Sequence, residues 1–437
     1  MLDDESWLFL KSGVFSYSAK AAMLAMGLIY TYLIANALGP AEYGKAMFVL
    51  AFIGNLVFLF GTEVFGNALT VFTPQCGSKV LFSRFAKILF FGFLVLFAFF
   101  YFCSQAILEI IGRGDATLFQ YSSLLFLVFP FFLLFEALFK GIKSFGKVLK
   151  VSLIEGIANL ILATLFVIVL RQGASGTISA KIISVAIAAI AYFYFFRQCR
   201  FEEKRIDSGQ VNKYLKNTFA MSVFKKLNSQ AVLFYMGLFL PATTIGFYYI
   251  AEKIATYAIE MPTSALSEAM LPFASGKATD KKALSRLASL SIKFSLLLGA
   301  FLGLLALFAG RFLLLSFFPE FVEAYSLLPF FLLLFMGSSI NFLTNTYRSI
   351  NRADILAKSM LLMLAVTLLT GYPLAFVYGV YGLIFSQIIA VVAAFSFLYV
   401  KQKSMGLEIE VLPRPKDIRF FASVLWHGVK HSLGRKY

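Results

Sequence analysis

Apolar runs of about 20 residues recur along almost the whole chain, each long enough for a helix to cross ~30 Å of hydrocarbon. They fall near 13–36, 46–72, 85–104, 118–139, 151–170 and 178–196, and then, after a polar linker, near 217–240, 246–273, 290–315, 324–347, 357–378 and 381–400. A backbone in lipid must satisfy its own hydrogen bonds, so runs of this length predict helices. The expected fold is therefore an all-α integral membrane protein with twelve transmembrane helices in two sets of six. Composition agrees: of 437 residues 60% are hydrophobic and 14% charged, a balance that excludes an ordinary soluble domain.

The opening "MLDDESW" is acidic where a cleavable signal peptide carries positive charge, so the first span is expected to stay in the mature protein. Cys76, Cys103 and Cys199 are scattered, with no pairing or metal-ligand spacing, and read as three free thiols. No cofactor is expected. His427 and His431 lie one helical turn apart without a third ligand, which sets a metal site aside.

The formal net charge of +17 suggests nucleic acid only if the basic residues share a soluble face, and here they lie between the spans. Alternate connections hold 29 Lys and Arg on one side and four, Lys45, Arg113, Arg171 and Arg311, on the other. By the positive-inside rule this multi-pass chain is expected to hold both termini in the cytoplasm. The basic segment 402–437 forms a cytoplasmic tail, and its "DIRFFASVLWHGVKHSLGRKY" reads as an amphipathic surface helix attracted to anionic membrane lipids.

The linker 200–216 separates an N-terminal lobe, 1–199, from a C-terminal lobe, 217–401. "LGPAEYGKA" at 38–46 echoes "LPATTIGFYYIA" at 240–251, and "FKGIKSFGKVLKVSL" at 139–153 echoes "YRSINRADILAKSML" at 347–361. Both echoes fall at the same place in each half. An even number of spans per half makes the two repeats parallel, related by an axis along the membrane normal.

Four spans carry charge where lipid tolerates little. Lys20 lies roughly 13 Å along span 1 beyond Lys11, too deep for easy snorkelling. It reads as a cation in a water-filled cavity or as a buried partner of a carboxylate such as Glu63. Span 2 holds Asn55, Thr62, Glu63, Gly66, Asn67 and Thr70, and span 7 holds Lys225, Lys226 and Asn228. Span 8 places Glu252, Thr256, Glu260, Ser264 and Glu268 at every fourth residue. Spans 1, 2, 7 and 8 are the first two of each half, and such stripes are expected to line one central cavity, with a polar packing seam as the plainer reading. Glu136 with Lys140 reads as a structural i, i+4 pair, whereas Glu155, Asn159, Ser338, Asn341, Asn345 and Arg348 read as packing groups, with cargo contact as the less favoured alternative.

On "ANALGPAEYGKAMFVLAF" at 35–52, "IGFYYIAEKIATYAIEMPTSALSEAMLPFAS" at 245–275 and the basic turn "YRSINRADILAKSML", the chain resembles the polysaccharide flippases of the multidrug/oligosaccharidyl-lipid/polysaccharide exporter superfamily, which include the O-antigen (Wzx-type) flippases. The resemblance implies a MATE/MOP-like fold of two six-helix lobes. It also implies movement of a polyprenyl-pyrophosphate-linked oligosaccharide from the cytoplasmic to the outer leaflet by alternating access. Further partners it implies are a coupling ion (H+ or Na+) and a glycan polymerase that receives the product. Lys20 suits a diphosphate entering a low-dielectric space. Asn228 stands where relatives often carry an acid, and the two further C-terminal spans of lipid II flippases are absent.

The alternatives are a cation-coupled multidrug exporter of the same fold, for which Glu63, Glu252 and Glu260 supply acids, and a membrane glycan polymerase or ligase. The latter usually needs large outer loops, but the longest outer connections here are barely a dozen residues, at 105–117 and 311–323. Transport rather than catalysis is the expectation.

Overall fold

The computed structural model describes residues 4–76, 79–111, 115–142, 144–199, 208–264, 267, 270, 274, 280–337, 340–350, 352–415 and 417, with only the backbone of residues 4–24. Among the described residues there are helices and no strands. The chain divides into two compact units, Met1–Tyr249 with Phe317–Phe321, and Ile250–Ser316 with Val322–Tyr437.

The first unit opens with α1 (Asp4–Phe58), which breaks at Gly39, where φ is 68° and Pro40 follows. Glycine tolerates this conformation and proline cannot donate to the preceding turn, so the pair marks the end of one span and the start of the next. A π-turn, Leu59–Val64, leads from α1 into α2 (Phe65–Cys76). There follow α3 (Lys79–Phe102), α4 (Ser104–Ile111), α5 (Ala116–Ser123), α6 (Leu125–Gly141), α7 (Phe145–Ala163), α8 (Gly173–Arg197), α9 (Ser208–Phe239) and α10 (Ala242–Ala255). α7 packs mainly on α8 and α1, and α2 packs on α6. Lipid tails are as apolar as Leu, so close van der Waals packing has to hold such helices together. Aromatic stacking provides much of it: Phe139 lies on Tyr192 at 5.4 Å and Phe82 on Phe196 at 5.1 Å.

One crossing in this unit is reciprocal. A Cβ on Gly44 would lie 1.9 Å from the Ala242 carbonyl oxygen, and a Cβ on Gly246 would lie 2.2 Å from the Pro40 carbonyl oxygen. Positions 40 and 44 correspond to 242 and 246 in the echo between the halves, so each half presents the same glycine to the same backbone position of the other. This is the contact expected across a two-fold axis relating parallel repeats, and only glycine allows the main chains so near.

The second unit contains the end of α10, a π-turn at Thr256–Glu260, α11 (Lys281–Phe317), α12 (Leu328–Met336), α13 (Ile340–Ser349) and α14 (Ala353–Ser404). α14 folds back on itself at Gly379, whose φ is 57°. Thr370 and Ser386 share a hydrogen bond of 2.8 Å although 16 residues separate them, which a straight helix rising 1.5 Å per residue cannot bring together. α14 is thus a hairpin of two spans. Asn345 of α13 donates to the Ser267 carbonyl at 2.7 Å and to its hydroxyl at 2.9 Å. Tyr347 OH donates to the Leu398 carbonyl at 2.6 Å.

Eight helices among the described residues are long and apolar enough to cross a membrane. With the hairpin in α14, the break in α1 and the charged helices α9 and α10, the segmentation is compatible with twelve spans.

Candidate functional site

The π-turn Leu59–Val64 places Glu63 where the regular hydrogen-bond ladder is interrupted. Side chains take up the Glu63 carbonyl: Asn67 Nδ2 donates to it at 3.0 Å, and Ser222 Oγ of α9 at 3.5 Å. The Glu63 carboxylate meets α9 as well, with Lys225 Nζ 3.1 Å from Oε1. Lys225 and Ser222 lie three residues apart on one face of α9, so a single helix face addresses both the backbone and the side chain of Glu63.

The pair is not sealed. The Lys225 side chain is 52% exposed and that of Glu63 20%. An ammonium has three donors, and the pair with Glu63 uses one of them. Lys226 Nζ lies 5.4 Å from the centre of the Phe58 ring, a cation–π contact at the last residue of α1. Asn228 is buried, and its Oδ1 has no hydrogen-bond partner among the described residues. Gln230 Nε2 donates to the Phe52 carbonyl at 3.2 Å, so α9 is stitched to the second half of α1 over several turns.

Of the residues singled out in the sequence, Glu63, Asn67, Lys225, Lys226 and Asn228 come together along α2, its π-turn and α9. The side chain of Lys20 lies outside the described residues, as do those of Thr62 and Glu268. Glu252 and Glu260 belong to the second unit, where both are partly exposed. Glu260 closes the π-turn Thr256–Glu260, so each half carries a glutamate in a π-turn of its second span. Ser222, Gln230 and Phe58 escaped the sequence reading because their roles, a hydroxyl and an amide on backbone carbonyls and a ring under an ammonium, leave no pattern of spacing.

A second lysine–glutamate pair joins two helices of the same unit. Lys181 Nζ of α8 is 2.7 Å from Glu155 Oε1 of α7, and Ser184 Oγ donates to the same oxygen at 3.3 Å. The Phe129 ring is 5.7 Å from the ammonium. Glu136 and Lys140 pair at 2.6 Å over one helical turn, as the spacing predicts. Among the described residues no cluster of three or more His, Cys, Asp or Glu could hold a metal ion, and Cys103 and Cys199 are free thiols. Cys76 lies outside the residues whose side chains are described.

Solved structures share this fold. A lipid II flippase in an inward-closed conformation matches with a TM-score of 0.73 at 16% identity, over 93% of this chain and 89% of that one. An inward-facing multidrug-resistance MATE transporter of the MOP superfamily matches with a TM-score of 0.70 at 11% identity, over 88% and 98%. A MOP-superfamily transporter from Pyrococcus furiosus matches with a TM-score of 0.67 at 12% identity, over 91% and 96%. No curated protein matches the sequence significantly. The sequence profile of the polysaccharide biosynthesis protein family matches residues 33–318, and the chain belongs to that family.

Proposed function

We propose that the protein is a flippase that carries a polyprenyl-pyrophosphate-linked oligosaccharide, such as an O-antigen, capsule or exopolysaccharide repeat unit, from the cytoplasmic to the outer leaflet. Family membership points to polysaccharide assembly. The observation that carries the reading is the half-exposed Lys225 on α9, paired with Glu63 and followed by Lys226. A diphosphate needs compensating cations in a space of low dielectric, and an ammonium with donors to spare supplies them. Lys20 is the third cation assigned to this site. The lipid tail remains in the bilayer while the headgroup crosses, so no bond is made or broken and the protein is a transporter, not an enzyme.

In this reading the lobes 1–199 and 217–401 alternate access to the cargo, and both termini face the cytoplasm. Glu252 and Glu260 are further cavity residues in this reading, and a coupling ion, H+ or Na+, is a partner of the cycle. The product is handed to a glycan polymerase on the outer face. The multidrug-exporter reading has the fold in its favour. It fares worse at Glu63, since an organic cation needs an uncompensated acid and Glu63 already has the Lys225 ammonium.

The test is flipping of a fluorescent polyprenyl-pyrophosphate oligosaccharide in proteoliposomes, with wild type, Lys20→Ala, Lys225→Ala and Lys225→Arg compared at equal insertion. The reading expects flipping by wild type, loss in both alanine variants and substantial retention with arginine. Wild type that transports an organic cation and leaves the lipid-linked sugar in place would sink it.

A further inference from the structure

A separate cleft of about 890 Å³ lies in the second unit, between the start of α11 and the end of α14. It falls on the side where the connections are rich in Lys and Arg. Its construction begins at Gly406, whose φ of 71° turns the chain after α14 back toward α11. The returning segment is pinned there: the Glu408 amide donates to Ser285 Oγ at 3.1 Å, and the Glu410 amide to Ser289 Oγ at 2.8 Å. Leu407 and Ile409 are buried between these bonds. Lys293, nearly buried, anchors the end through Glu410 at 2.6 Å and Asp417 at 3.2 Å.

Lys293 is thus consumed by structure, and the cleft's remaining cations are not. Lys281, Lys282, Arg286 and Lys403 line it with exposed side chains, none in an ion pair among the described residues. Against them the lining offers Glu408, with Glu410 and Asp417 already committed to Lys293 and Glu410 also to Arg414. The balance inside the cleft favours an anion.

The helix says which kind of anion. Lys282, Arg286 and Leu290 are spaced four residues apart on one face of α11, and the same face continues through Phe301, Leu305, Phe308 and Phe312, all exposed. Exposed phenylalanine along a membrane-spanning helix is surface for acyl chains. A charged cleft opening directly onto such a stripe fits a molecule whose head is a phosphate and whose body is hydrocarbon.

We propose that this cleft binds the phosphate headgroup of an anionic phospholipid of the basic-side leaflet, with its chains along the apolar face of α11. Phosphate is recognised by Lys282 and Arg286, with Lys281 and Lys403 completing the positive rim. The site is distinct from the Lys225 site and does not depend on the cargo assignment.

The test uses the full-length protein in nanodiscs of phosphatidylcholine doped with phosphatidylglycerol, reading thermal midpoint and native-mass-spectrometry lipid retention. Wild type should gain stability and retain phosphatidylglycerol over phosphatidylcholine, and soluble glycerol phosphate should have no effect at equal concentration. Lys282→Gln with Arg286→Gln should weaken the apparent affinity for phosphatidylglycerol by roughly 30-fold, the loss of two surface charges near a headgroup. Lys401→Gln, an exposed residue on α14 outside the cleft lining, should behave as wild type. Equal retention of both lipids by wild type, an unchanged response in the double variant, or a matching response to glycerol phosphate would each overturn the assignment. Both substituted side chains are exposed, so misfolding is not expected to confuse the result.

Discussion

Among the described residues of the first unit, two lysine–glutamate pairs join different helical segments, and they differ in what surrounds them. Lys181 and Glu155 lie 2.7 Å apart with side chains 29% and 12% exposed, with a serine on the carboxylate and a ring beside the ammonium. Lys225 and Glu63 lie 3.1 Å apart, and the lysine is more than half exposed. The first pair is closed, and its geometry uses the charge to hold α7 to α8. The second is open, with the Lys225 side chain half exposed beside its carboxylate. Each ammonium gives one of its three donors to its glutamate, so what separates the two pairs is how far the lysine is open to its surroundings.

The largest expected effect comes from breaking the closed pair. Lys181→Ala leaves Glu155 buried and unpaired, which should cost about 3 kcal/mol of stability. Thermal unfolding of the purified protein would show it, while flipping per folded molecule should stay close to wild type. Next comes the open pair: Lys225→Ala should reduce flipping roughly 30-fold, the worth of about 2 kcal/mol for a lost contact to a charged group. The thermal midpoint should move less than in Lys181→Ala, because both side chains of this pair are more exposed. A comparable loss of stability in both alanine variants would erase the distinction between the pairs.

Smaller effects sharpen it. Glu63→Gln removes the steering carboxylate but leaves the ammonium, so binding of the diphosphate should persist while flipping falls by about fivefold, the equivalent of one charged partner. Equilibrium binding and transport measured on the same preparation would separate the two. The smallest effect is expected from Lys225→Arg, which keeps a permanent cation and multiple donors and should retain flipping within about threefold.

Much of this was legible in the sequence, for reasons that can be named. Span length and apolar composition follow from bilayer thickness, so the helical membrane fold could be read directly. The echo of "LGPAEYGKA" at 240–251 pointed to a repeat, and the reciprocal approach of Gly44 and Gly246 shows those segments in corresponding positions. Glu63, Lys225 and Lys226 stood out because each is costly in lipid. Their pairing did not, because Glu63 and Lys225 are 162 residues apart and no local periodicity links them. The π-turns at Leu59–Val64 and Thr256–Glu260 were equally hidden, since one extra residue in a helical turn leaves no mark on hydrophobic spacing. The cleft beside α11 depends on a chain reversal at Gly406, where the sequence shows only a glycine after a basic helix end.

The crossing of Gly44 and Gly246 carries a consequence for ancestry. Each glycine meets a backbone carbonyl at the position where its counterpart meets one in turn. In a homodimer of a single half, one glycine codon would supply both contacts, and one substitution would damage both. Once the halves are joined in one chain, two codons must be kept where one sufficed. A methyl group at either position would meet the other half's main chain, so a change at either glycine must move the crossing apart.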